Sequence, residues 1–116
     1  MPPKRRRRAR RVVLLLSSYP KRAAAERAAR GLVDDGVVAC ATVLASGRAH
    51  YRWNGVRRAD PSTLLWAKTT AARARAAVRA IRAGHPDSVP EILVIPVSGG
   101  HAPYLAWIAD EVGPAR

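Results

Sequence analysis

The sequence predicts an α+β fold, a ferredoxin-like βαββαβ sandwich with an extra C-terminal helix. Three observations carry that reading. Four apolar runs of strand length and two Ala-rich amphipathic stretches alternate in the order strand, helix, strand, strand, helix, strand. The Asn54-Gly55 dipeptide, suited to a two-residue type I′ turn, joins the two middle strands as a hairpin. The helical stretches then act as crossovers returning the chain to one sheet, with both helices on the same face. A chain of 116 residues has room for one such domain and one core.

The first strand is expected over Arg11–Ser18, because Val12–Leu16 is a continuous apolar run, as in a strand buried on both faces. Ser17-Ser18-Tyr19-Pro20 breaks the run, with hydroxyls placed to cap the next helix and Pro20 suited to its first turn. From Lys21 to Asp35, Ala25, Ala28, Ala29, Leu32 and Val33 recur at three-to-four spacing, which predicts a helix with a small-residue buried face. Gly36 follows as its left-handed C-terminal residue. Val37–Leu44 is the second strand, with Cys40 in its middle, and it resumes at His50–Trp53. The intervening Gly47 predicts a bulge within one long strand.

After the hairpin the chain returns through Val56–Arg58 and, past an irregular Asp60-Pro61, through Thr63–Thr69. Pro61 has no N–H to offer a neighbour and is expected at an edge or bulge. Thr70 is placed as N-cap of a second helix reaching Arg82. There Ala71, Ala74, Ala77, Val78 and Ile81 form the apolar stripe and four arginines the opposite side. His85-Pro86 is loop, and Val89–Val97 is the fourth strand, whose Pro90 and Pro96 predict an unpaired side. A last helix spans Pro103–Glu111.

The formal charge is +13, from 21 Lys+Arg against 8 Asp+Glu, but it is unevenly spread. Residues 1–11 hold seven basic side chains and no acid, and are expected to be a disordered Arg-rich tail. Residues 12–112 form the domain and 113–116 a short tail. The basic tail suggests at most non-specific, salt-sensitive contact with nucleic acid. An RNA-reading sheet of this topology needs aromatics on its central strands, and the first strand has none. No apolar run approaches the ~20 residues that span a bilayer, so no membrane partner is expected. A single cysteine excludes an internal disulfide framework and a Cys-based zinc cluster, which fits a reducing, cytoplasmic setting.

Chemistry has few candidates. No serine stands in a G-x-S-x-G elbow, and Cys40 reads as a small apolar strand residue. There is no phosphate-binding glycine motif. His50, His85 and His101 fall at no helical ligand spacing, so a metal site has to be assembled by folding. The best set is His85 with Asp87 and the nearby Glu91.

Five strings occur in order: Ala39-Cys40-Ala41-Thr42, Tyr51-Arg52-Trp53-Asn54-Gly55, Lys68-Thr69-Thr70, His85-Pro86 with Val89-Pro90-Glu91-Ile92 and Ile95-Pro96-Val97, and Tyr104-Leu105-Ala106-Trp107-Ile108. Together they resemble the CutA divalent-cation tolerance proteins over residues 12–112. The resemblance implies a ferredoxin-like subunit in a stable homotrimer, a role in tolerance to copper and other divalent ions, and no enzymatic activity. It also implies an inter-subunit cleft containing Cys40, Trp53, Lys68, His85, Glu91 and Tyr104, with Lys68 pairing a buried carboxylate such as Glu91. Where copper-binding members carry a cysteine and a second histidine, this chain has Ser17 and Gly84. The family's tyrosine after His-Pro is Asp87 here, and its acid six residues before the lysine is Ser62. Loss of a thiolate and an imidazole weakens the case for copper, and Asp87 supplies a harder oxygen that favours zinc. The metal expectation is therefore weak copper or zinc binding at His85, Asp87 and Glu91. A competing expectation is a signalling trimer that binds a small anionic effector through Lys68 and the Arg-rich surface.

Overall fold

The computed structural model describes residues 3–114. Its elements are α1 (Pro3–Ala9), β1 (Val12–Tyr19), α2 (Arg22–Asp34), β2 (Cys40–Trp53), β3 (Val56–Thr70), α3 (Ala71–Gly84), β4 (Ile92–Pro96) and α4 (Ala102–Val112). The four strands form one antiparallel sheet in the order β2-β3-β1-β4. That order is the split βαβ arrangement the element sequence predicts. β1 is central because its apolar residues serve both faces. Pro96 is tolerated because β4 is an edge strand.

Alternation along the strands divides the side chains between two faces. On one face Leu15, Tyr19, Leu65 and Ala67 meet Ala25, Ala29 and Leu32 of α2 and Ala77 and Ile81 of α3. Alanines at the helix contacts let the helices approach closely. Each buried Leu or Ile contributes about 1.5–3 kcal/mol by leaving water. On the other face the register aligns Thr42, Trp66, Leu16 and Leu93 in one row across all four strands. Leu44 and Leu64 stand opposite each other in the next row. α4 covers one end of this face, burying Ile108 and Val112, while Trp66, Leu93 and Leu44 stay 37–50% exposed.

β2 and β3 outrun their neighbour. β1 ends at the Tyr19–Thr63 pair, so residues beyond it continue as a two-stranded ribbon to the Asn54-Gly55 turn. Both turn residues have positive φ, 50° and 77°, as type I′ requires. The predicted bulge lies between Leu44 and Gly47, with Ser46 at φ 69°. A Cβ on Gly47 would stand 2.6 Å from the Ser62 carbonyl oxygen, so only glycine fits there.

Several expectations change. The Arg-rich segment, expected as a disordered tail, is helical over Pro3–Ala9. Pro3 suits a first turn, arginine favours helix, and Arg6, Arg7 and Arg8 complement the negative end of the helix. Residues 1 and 2 of that tail, and 115 and 116 of the C-terminal one, lie outside the described residues. β1 continues to Tyr19, and the serine hydroxyls cap no helix; the N-cap of α2 is Lys21. β2 starts at Cys40 rather than Val37, and β3 runs unbroken through Asp60-Pro61. β4 covers only Ile92–Pro96, because the chain before it is tied to the end of β1. Val33 is exposed, whereas Arg73, expected on the solvent side, is buried and donates from Nη2 to the Gly36 carbonyl oxygen at 3.0 Å.

Candidate functional site

The segment from His85 to Glu91 is built onto the end of β1 by polar contacts. Ser17 Oγ donates to the Glu91 carbonyl oxygen at 2.8 Å, and Ser18 Oγ donates to Glu91 Oε1 at 2.9 Å. The His85 side chain is fully enclosed. The Asp87 N–H donates to Nδ1 at 3.1 Å, so the proton sits on Nε2, which donates to the Ser18 carbonyl oxygen at 2.7 Å. The ring also stacks on Tyr19.

This loop, the end of β1 and the base of the ribbon enclose an open cleft of about 920 Å³. Its charged and polar rim includes His50, Arg58, Asp60, Asp87 and Glu91, with Trp53 at the far end. Across the ribbon, Tyr51 donates its hydroxyl proton to Asp60 Oδ2. That bond favours the neutral phenol and holds the Tyr51 pKa above the ordinary tyrosine value. Both signs of charge meet in the cleft.

A second cluster lies toward the opposite end of the sheet. Cys40 and Lys68 are register partners on β2 and β3. Cys40 Sγ is 3.7 Å from Tyr104 Oη, and Lys68 Nζ lies 5.6 Å from the centre of the Tyr104 ring. Trp107 stacks on Tyr104 with ring centroids 5.8 Å apart. The Tyr104 hydroxyl stabilises the ammonium and raises the Lys68 pKa, against a smaller opposing effect of burial.

The expected site residues therefore fall into two groups. Cys40, Lys68 and Tyr104 come together, as do His85, Asp87, Glu91 and the more distant Trp53. Trp53 lies thirteen positions along β2 from Cys40, roughly 40 Å at ~3.3 Å per residue. Within one chain Lys68 does not pair with Glu91, which is exposed and bonded to Ser18 near the other end of β1. His85 has no free ring nitrogen for a metal, because both are engaged with backbone. Among the described residues no three His, Cys, Asp or Glu side chains converge as a metal-holding group.

Sequence reasoning missed the roles of Ser17, Ser18, Arg58 and the Tyr51–Asp60 pair. The adjacent serines closing an apolar strand were a usable signal, since hydroxyls there can bond a neighbouring loop as readily as a helix end. The ribbon pair is legible only once the hairpin register is known.

Residues 13–111 match the family model described as CutA1 divalent ion tolerance protein. A Xenopus laevis protein described as a CutA homolog is 34% identical over 93 residues, 80% of this chain. This chain spans only 62% of that relative's length. The divalent-cation tolerance protein CutA of Pectobacterium atrosepticum is 34% identical over 89 residues, covering 77% of this chain and 81% of its own. The crystal structure of CutA from Xylella fastidiosa superposes with a TM-score of 0.85 at 35% identity, covering 88% of this chain and 98% of that one. The divalent cation tolerance protein from Thermus thermophilus gives 0.84 at 30% identity, covering 88% and 99%.

Proposed function

The chain belongs to the CutA1 divalent ion tolerance family, so its role lies in tolerance to divalent metal ions, and from that premise we propose that it works without catalysis, as a homotrimer that meets zinc or copper at its surface. The observation that carries the assembly is the open sheet face. Exposed Trp66, Leu93 and Leu44, with half-buried Leu16 and Leu64 beside them, form one apolar surface that α4 leaves open. A contiguous patch of this kind is what subunit interfaces bury. The ribbon adds a second argument, since a lone two-stranded hairpin is marginal in water and gains stability by packing on a neighbour. Contact between the ribbon of one copy and the Cys40–Lys68–Tyr104 end of the next would unite the two groups of site residues.

Metal contact falls to Asp87 and Glu91, exposed oxygen donors on one loop that suit zinc better than Cu(I). Without a converging third donor in the same chain, binding is weak. The three carboxylates on the cleft rim disfavour an anionic effector there. Light scattering tests the assembly: three copies of the 12.5 kDa chain are expected for wild type, and a smaller mass for Trp66→Glu. A wild-type monomer throughout the micromolar range overturns it. Calorimetric titration with Zn²⁺ and Cu²⁺ tests the donors, with weaker binding expected for the Asp87→Asn, Glu91→Gln double variant.

A further inference from the structure

The N-terminal cations are carried on the folded domain. α1 packs against α3. Arg10 Nη2 meets Asp110 Oδ1 of α4 at 2.9 Å, and the Arg11 carbonyl oxygen accepts the Ala71 N–H at the start of α3, at 2.8 Å. All five consecutive basic residues at positions 4–8 are exposed. On α3, Arg75, Arg79 and Arg82 follow one another at spacings of four and three, which aligns them on one exposed stripe. Neither helix contains an acidic residue. The acids nearby are Asp110 and Glu111 on α4, and Asp35 at the end of α2. Asp110 is already paired with Arg10, and Asp35 shares a groove with Ala80, Ile81 and Gly84 on the side of α3 that meets α2.

We infer that α1 and the exposed stripe of α3 form one cationic face that binds the phosphate backbone of double-stranded nucleic acid without reading its sequence. Cations at this density repel one another and hold counterions, which a polyanion displaces. Guanidinium groups suit phosphate because their planar donors can bond two oxygens at once. The composition of the face selects among polyanions. A helix that lies in a bilayer surface needs an apolar side, and α1, Pro-Lys-Arg-Arg-Arg-Arg-Ala, has none. Single strands are held by stacking bases on aromatic side chains, and neither helix has one. Neither has an Asn or Gln to read adenine edges. The α3 stripe points away from the core, and the apolar sheet face lies on the other side of the sheet, so trimer formation leaves the stripe accessible.

The test uses the full chain and a fluorescein-labelled duplex of roughly 20 base pairs, read by anisotropy between about 50 and about 200 mM KCl. Affinity is expected to fall by about a thousandfold over that range, as for about six phosphate contacts, and to be equal for two unrelated duplex sequences. Arg75→Gln with Arg79→Gln lowers the steepness of the log–log salt plot by about 1.8, or ~0.9 per lost contact. The same charge loss on the ribbon, Arg52→Gln with Arg57→Gln, leaves binding unchanged. Circular dichroism and light scattering confirm that both variants keep the wild-type fold and mass. A wild-type salt plot for the α3 variant overturns the two-helix face, as does an equal loss from the ribbon variant. Tighter binding to a single strand, or to vesicles containing phosphatidylserine, overturns the assignment to duplex.

Discussion

His85 lies stacked on Tyr19, ring centroids 4.2 Å apart and planes inclined by 22°, while its Nε2 donates to the carbonyl oxygen of the neighbouring Ser18 at 2.7 Å. The histidine of the His-Pro pair thus pins the loop after α3 to the end of β1. Its imidazole is spent on packing and on two backbone partners, and the exposed carboxylates beside it remain for solutes.

Replacing His85 with Ala tests that assignment. The variant loses an enclosed ring, leaves the Ser18 carbonyl without its donor, and strips one face of Tyr19. A loss of about 2–4 kcal/mol is expected in urea unfolding at fixed protein concentration. The Zn²⁺ isotherm should be unchanged under conditions where the variant is folded. A stable variant with abolished zinc binding would reverse the roles.

The bulge offers a second test. In Gly47→Ala the new methyl carbon meets the Ser62 carbonyl oxygen at 2.6 Å, and the neighbour is backbone that cannot swing away. The strands must separate there, costing about 1–3 kcal/mol. Hydrogen exchange should localise the effect, with faster exchange in the ribbon and little change in the helices.

How much of this was readable beforehand follows from the range of each interaction. Asn54-Gly55, Gly36 and Gly47 announced themselves because a positive φ or a close approach is a local demand on residue type. The alternating and helical apolar patterns placed six core elements for the same reason. What sequence could not show were partners chosen by folding: Ser18 with Glu91, Tyr51 with Asp60, and Lys68 beside Tyr104. Arg73 is instructive, since charge and helical position both assign it to solvent. The carbonyl of Gly36, left over where α2 ends, draws it inward.

Arg73 should therefore behave as a capping residue. Arg73→Ala removes both the donor to Gly36 and a buried side-chain stem, for an expected loss of about 2–3 kcal/mol. Arg73→Met keeps the stem and discards a guanidinium whose Nε has no partner. It should be less destabilising than Ala by thermal or chemical unfolding. Equal losses for the two would assign the whole effect to the hydrogen bond.

The last prediction concerns alkaline pH. Burial holds the Tyr19 pKa above its ordinary 10.0, so above that pH the unfolded chain releases the phenolic proton before the folded one does. Bound protons are then fewer in the unfolded state, and stability falls as pH rises. Lys68 acts in the same direction by a different route. Its ammonium is favoured in the fold by the Tyr104 hydroxyl, so that contribution is complete below the unfolded value of 10.5 and is lost as pH rises through the raised folded value. Urea midpoints should therefore decline above about pH 10 through both groups. Exposed Tyr51, whose phenol the Asp60 hydrogen bond also holds above its ordinary value, acts in the same direction. Tyr19→Phe removes one contribution. Because the Tyr19 hydroxyl is buried without a partner, the variant should match or slightly exceed wild type at neutral pH while its alkaline decline becomes shallower. Lys68→Met removes the other, with a smaller change because the ammonium is largely solvated. Combined, the two substitutions should flatten the alkaline limb more than either alone, and an unaltered limb in the double variant would trace the decline to other groups.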